Sequence, residues 1–267
     1  MFEALSYTFI QNALIAGVLV SLATGIIGSL VVVNRMVFLA GGMAHASYGG
    51  IGLAVYLGFP IFLGASLFAV ASALLIAYLT LHDRHRIDTF IGLIWAVGMA
   101  IGVILIDLTP GYNVDLMSYL FGSILAVSSG DLWFMGGLLT AIILVVSIWY
   151  RDILAVSYDS EYALLRGVNV KFFYSLILVL SALTVVMAIK VVGLILVIAM
   201  LTIPVYIAER LSNSLATMMA ISGVIATLFT LTGLWFSYTY DLTSGASIII
   251  VSACGLGLFL LFSTKRK

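Results

Sequence analysis

One imidazole carries most of the chemical reach of this sequence. His45 lies within Gly41-Gly42-Met43-Ala44-His45-Ala46-Ser47-Tyr48-Gly49-Gly50-Ile51-Gly52, and no other histidine or charged side chain occurs between Arg35 and His82. An ionisable group inside an apolar span costs about 2.5 kcal/mol or more, so it points to function and faces the protein interior. Gly41, His45 and Gly49 stand four residues apart, and a helix places them on one face. Small residues at this spacing let a neighbouring helix approach closely, and they leave room for an ion beside the ring. Two chemistries fit: a histidine hydrogen-bonded across a helix interface, or a neutral imidazole that binds or gates an ion.

Other candidate groups are scattered. Asp241 precedes Ser244 and Gly245 near the start of the last apolar run. His82, Asp83, His85 and Asp88 have a loose ligand-like spacing, but they fall in the most polar run of the chain and read as a solvated loop. Asp107 and Asp115 flank Pro110-Gly111 and read as an outer loop. Cys254 stands alone in an apolar run, so it is expected to pack in the core and no internal disulfide exists. The methionines form no regular ligand series and read as packing. No lysine followed by serine or threonine ends a glycine-rich loop, so any ATP this protein uses is hydrolysed by another polypeptide. An intramembrane hydrolase would need a second catalytic group at the depth of His45, and the central spans supply none.

The elements that position these groups are membrane helices. Of the 267 residues, 64% are hydrophobic and 8% are charged, against roughly 25% charged in a soluble domain. The formal net charge is zero, and no nucleic-acid partner is expected. Glu3 stands where a cleavable signal would carry basic residues, so the first apolar run is expected to remain. A span needs about 20 apolar residues. Residues 10–33, 36–57, 61–81, 90–108, 132–150, 172–189, 191–208, 211–236 and 245–262 meet or approach this, which predicts about nine transmembrane helices in a single domain, 1–267. Lys190 alone separates two of these spans. Residues 116–129 are too short to cross and read as a re-entrant helix.

Charge orients the threading. With the C-terminus in the cytoplasm, every basic residue except Lys190 is cytoplasmic, which is ten of the eleven. Glu3, Asp107, Asp115, Asp131 and Asp241 then face outward, and an acidic vestibule concentrates cations. The longest polar segment, 151–171, is cytoplasmic. In it Ser160 can cap a short helix that Gly167 ends. Such a helix exposes Tyr162, Leu164 and Leu165 to a partner's groove or to the bilayer surface.

Several stretches, taken in order, resemble a known family. They are 34–46 (from Asn34-Arg35-Met36 to His45-Ala46), 118–128 (from Ser118-Tyr119 to Val127-Ser128), Val192-Gly193-Leu194-Ile195-Leu196-Val197, and Asp241-Leu242-Thr243-Ser244-Gly245-Ala246. Glu161-Tyr162-Ala163-Leu164-Leu165-Arg166-Gly167 resembles the coupling motif of ATP-binding-cassette importers, with Tyr162 in place of its first alanine. Together they resemble the permease subunit of the zinc/manganese/iron family of ATP-binding-cassette importers. The resemblance implies an all-α type II importer fold, similar to the cobalamin importer permease, in a prokaryotic cell membrane. It implies a second copy of the chain, a cytoplasmic ATPase dimer, an extracytoplasmic metal-binding delivery protein, and a transported zinc, manganese or iron ion with no tightly bound cofactor.

The resemblance assigns metal contact to His45 and Asp241, pathway and packing to Gly41, Gly42, Gly49 and Ser244, and ATPase coupling to Asp159, Glu161, Ala163, Leu165 and Gly167. Two positions depart from the family. Thr243 stands where the family usually has proline, and Gly41 where it often has an aspartate. Losing that carboxylate removes a hard oxygen ligand one turn from the imidazole. Importers of a metal chelate such as haem, siderophore or cobalamin, and ion-coupled secondary transporters, are the alternative readings.

Overall fold

A computed structural model describes residues 7–80, 86–110 and 122–263. The readings of Glu3, of the His82–His85 group, of Asp115, of residues 116–121 and of the basic C-terminus lie outside these residues. The described chain is helical. Its elements are α1 (Thr8–Val33), α2 (Val37–Leu57), α3 (Ile61–Thr80), α4 (Ile87–Asp107), a single 3-10 turn (Ile124–Ala126), α5 (Ser129–Ile148), α6 (Tyr150–Tyr158), α7 (Ser160–Leu165), α8 (Val170–Val192), α9 (Val197–Leu211), α10 (Leu215–Tyr240) and α11 (Ser244–Ser263).

Seven of these helices are long and apolar enough to cross a membrane: α1, α3, α4, α5, α8, α10 and α11. The remaining two of the nine expected spans correspond to α2 and α9. The 21 residues of α2 suffice in length, but its Gly-His-Ser-Tyr run dilutes the hydropathy. The 15 residues of α9 are short for a span that needs about 20.

Hydrogen bonds gather the helix ends into two groups. At one end the Asn34 side-chain amide donates to Ser157 Oγ at 3.0 Å, the Ala216 N–H donates to Tyr150 Oη at 3.0 Å, and Thr80 pairs with Tyr174 at 3.0 Å. At the other end the Asn12 amide donates to the Val127 carbonyl at 3.2 Å, and Lys190 Nζ donates to Asp131 Oδ2 at 3.3 Å. Asp131 also completes a capping box with Ser128, which moves the start of α5 to Ser129, ahead of the apolar run that begins at Leu132. The described part of the short apolar segment is not helical beyond its one turn. Ile124 and Val127 are buried, and the Ser123 N–H donates to the Lys190 carbonyl.

The core sits along α1 and α8, the two most buried of these seven helices. α8 touches α1, α2, α3, α9 and α11. Between helices in lipid the apolar effect is absent, so close packing and hydrogen bonds hold the bundle, at about 0.6 kcal/mol per hydrogen bond. α1 and α10 use both: Ser21 pairs with Thr230 at 2.9 Å, and Ser222 Oγ donates to the Gly25 carbonyl at 2.7 Å. α2 and α4 approach until backbone meets backbone. A Cβ added at Gly98 would lie 2.8 Å from the Ala46 Cα and carbonyl oxygen.

Two expectations from the sequence are corrected. Lys190 does not break the chain between spans: it belongs to the last turn of α8, and the break falls at Gly193, whose φ of 85° leaves the helix. A lysine in the last turn favours a helix through its interaction with the helix dipole, so its charge gave the wrong boundary. Cys254 is exposed and not a core residue, because α11 has the least buried of the seven spans.

Candidate functional site

His45 is the ninth residue of α2, far from either end of the helix. The ring is half-buried. Its Nδ1 is buried and has no hydrogen-bond partner. Such an atom forfeits about 1–3 kcal/mol of solvation, and buried polar atoms in native proteins almost always have a partner. On one side the imidazole lies against the indole of Trp95 in α4, with ring centroids 4.3 Å apart and planes 8° apart.

The glycines around it serve three neighbours and not one common face. A Cβ at Gly41 would lie 2.6 Å from the Ile198 side chain of α9. Gly42 abuts Ile91 of α4. A Cβ at Gly49 would lie 2.8 Å from the Gly98 carbonyl of α4 and from the Phe68 ring of α3. Eight residues of α-helix turn through roughly 80° beyond two full circles, so Gly41 and Gly49 diverge although each is one turn from His45. The place that a side chain at Gly41 would take is filled by Ile198.

Asp241 lies elsewhere. It is the exposed C-cap of α10, in left-handed conformation with φ 53°. Ser237 Oγ donates to the Leu242 carbonyl at 2.6 Å and the Leu242 N–H returns to the Ser237 carbonyl, which tightens the turn into α11. Ser244 opens α11 and is buried. α8 and α9 each pack against both α2, which carries His45, and α11, which follows Asp241. Among the described residues no three His, Cys, Asp or Glu side chains come together as a metal site.

The candidates for ATPase coupling form a compact unit. α6 and α7 meet at Asp159, whose carboxylate accepts from the Glu161 and Tyr162 N–H groups at 3.1 and 2.9 Å. Asp159 thus caps α7 where the sequence suggested Ser160: the residue with extended backbone, φ −149°, is the one able to reach back. At the other end the Val168 N–H donates to the Ala163 carbonyl and the Gly167 N–H to the Leu164 carbonyl. This paired closure needs left-handed backbone, and Gly167 has φ 78°. Ala163 is fully buried and anchors the helix, while Leu165, 87% exposed, and Leu164, 66% exposed, project outward with Tyr162. Glu161 is exposed beside them.

Spacing within α2 gave no sign of Trp95, Met99 or Ile198, which come from other helices. One signal was available for Trp95. Trp133, Trp149 and Trp235 lie within six residues of a helix end, where membrane tryptophans gather. Trp95 lies mid-helix in α4.

The sequence profile of the ABC 3 transport family matches residues 6–264. An uncharacterised membrane protein of Synechocystis, slr2045, is 47% identical over 98% of this chain and 93% of its own length. The manganese transport system membrane protein MntC of Halalkalibacterium halodurans is 34% identical over 99% of this chain and 90% of its own. Among solved structures, PsaBC from Streptococcus pneumoniae in complex with Fab superposes with a TM-score of 0.85 at 32% identity, covering 95% of this chain and 91% of that one.

Proposed function

The chain belongs to the ABC 3 transport family, and we propose that it is the permease subunit of an ATP-driven importer of a divalent metal ion, manganese first among the candidates. It is a transport subunit and not an enzyme, with ATP hydrolysis in a separate partner. The observation that carries the reading is His45: a buried, unpartnered imidazole nitrogen halfway along a glycine-rich helix of a membrane bundle. Manganese is favoured by the name of the relative from Halalkalibacterium halodurans. The donor chemistry widens the choice, because neutral imidazole suits zinc and iron while manganese prefers carboxylates, and Gly41 supplies none.

In this reading the nine long helices all span, α2 and α9 included, in a type II importer fold with the C-terminus in the cytoplasm of a prokaryotic cell. Two copies form the pathway. A delivery protein docks on the acidic outer end, the ion passes Asp241 and His45, and alternating access is driven through α7, where Leu164 and Leu165 enter a groove of the ATPase. A bare cation is favoured over a chelate by the acidic residues of the outer end. A cavity of about 740 Å³ opens beside Asn34, Arg35, Ser157 and Glu209 at the end assigned to the cytoplasm.

The test is uptake of manganese, zinc and iron by cells expressing the full complex with wild-type chain or His45→Ala. Loss of one metal by at least 10-fold, with the ATPase still co-purifying, is the expected result and names the substrate. Unchanged uptake of all three would make His45 a packing residue.

A further inference from the structure

The imidazole of His45 is held by a stack and not by a hydrogen bond. Trp95 covers one of its faces at 4.3 Å. Trp95 is fixed in turn: its Nε1–H donates to the sulfur of Met99, one turn further along α4, at 3.3 Å. Phe38 of α2 packs on the same indole, with ring centroids 5.9 Å apart.

We infer that Trp95, locked by Met99, is the positioning residue that aims His45 at the transported ion, an inference that rests on His45 being a ligand. A ring nitrogen donates its lone pair in the plane of the imidazole. The orientation of that plane therefore sets where a bound ion sits. Metal-binding histidines are usually oriented through their second ring nitrogen, which donates to a carboxylate or carbonyl. His45 has no such support at Nδ1, and no trio of ligand-type side chains surrounds it among the described residues. The stack takes over that task. A stacked aromatic contact restrains tilt of the ring, and an indole lying over a face does not block the in-plane lone pairs. The indole itself cannot swing away without giving up its N–H···S contact. The mid-helix position of Trp95, away from the helix ends near which the other three tryptophans lie, agrees with a role at His45.

The purified permease–ATPase complex provides the test. Manganese(II) and zinc(II) are titrated separately, binding is measured with the radioactive metal, and tryptophan emission is followed in parallel. Subtracting the response of Trp95→Phe isolates Trp95 from all other tryptophans. An ion on His45 alters the quenching of a stacked indole, so the wild-type complex shows a Trp95 emission change that His45→Ala abolishes. Trp95→Phe keeps a stacking ring and retains affinity within about 3-fold. Trp95→Leu removes the ring and weakens binding about 10-fold or more, the scale of a lost orienting contact. Met99→Leu, a near-isosteric change, shifts the Trp95 emission of the metal-free complex and weakens binding by a smaller factor, which covers the case of Trp95→Leu failing to assemble. Trp95→Leu or Met99→Leu binding like wild type, while His45→Ala does not bind, would overturn the inference and leave His45 a ligand. Undiminished binding by His45→Ala would overturn the functional reading itself.

Discussion

The α2–α4 interface and the α6–α7 segment are opposites, and both point to function through a mismatch with their surroundings. Around His45 a polar atom is buried without a partner. On α7 two leucines stand exposed on a helix that the Asp159 carboxylate caps at one end and the left-handed Gly167 closes at the other. One region holds too much polarity for its burial, the other too much apolar surface for its exposure. The first suits a small cation, the second a protein groove.

Their glycines make the same contrast. Gly98 is required because another backbone lies where its side chain would be, 2.8 Å from Ala46. Gly167 has open space around it and is required by its φ of 78° alone. Three substitutions sharpen the comparison. Gly98→Leu should have the largest effect: the clash is with main chain, which cannot step aside, so the α2–α4 contact opens and folded protein is lost from detergent extracts judged by size-exclusion chromatography. A normal elution profile would show that the interface is more yielding than its geometry. Leu165→Asp should leave that profile intact and weaken ATPase co-purification about 10-fold or more, since it places a charge in an apolar contact. If the ATPase still binds fully, α7 lies on the bilayer surface instead. Gly167→Ala is the mildest. Left-handed backbone costs a non-glycine residue about 1 kcal/mol, so ATPase stimulation by the complex should fall by roughly 5-fold with thermal stability of the bundle unchanged.

Much of the bundle was legible in the sequence because long apolar runs leave little choice of structure in a membrane. The boundaries were less so. Lys190 reads as a break in an apolar run, yet it ends a helix, where a cation is favourable. α5 begins ahead of its apolar run because Ser128 and Asp131 cap it, a local polar signal that hydropathy overlooks. The site divides along the same line. His45 stands out in sequence because charge is rare there, and the α7 segment because its caps and apolar residues are contiguous. Trp95 and Ile198 reach His45 and Gly41 only through packing of α4 and α9 on α2, and pairings across helices leave no mark on the spacing within one.

α8 links the two mismatched regions in a way that bears on motion. Its N-terminal end follows α7 after only the short Arg166–Asn169 connection, and its C-terminal end carries Lys190, bridged to Asp131 of α5. At 1.5 Å per residue, its 23 residues form a rod about 34 Å long. Pivoted at one end, such a rod turns a tilt of about 10° into a displacement of about 6 Å at the other, more than the pitch of one helical turn. If α7 docks the ATPase as proposed, a push on Leu165 would be geared up along this rod toward the end that the Lys190–Asp131 pair ties to α5.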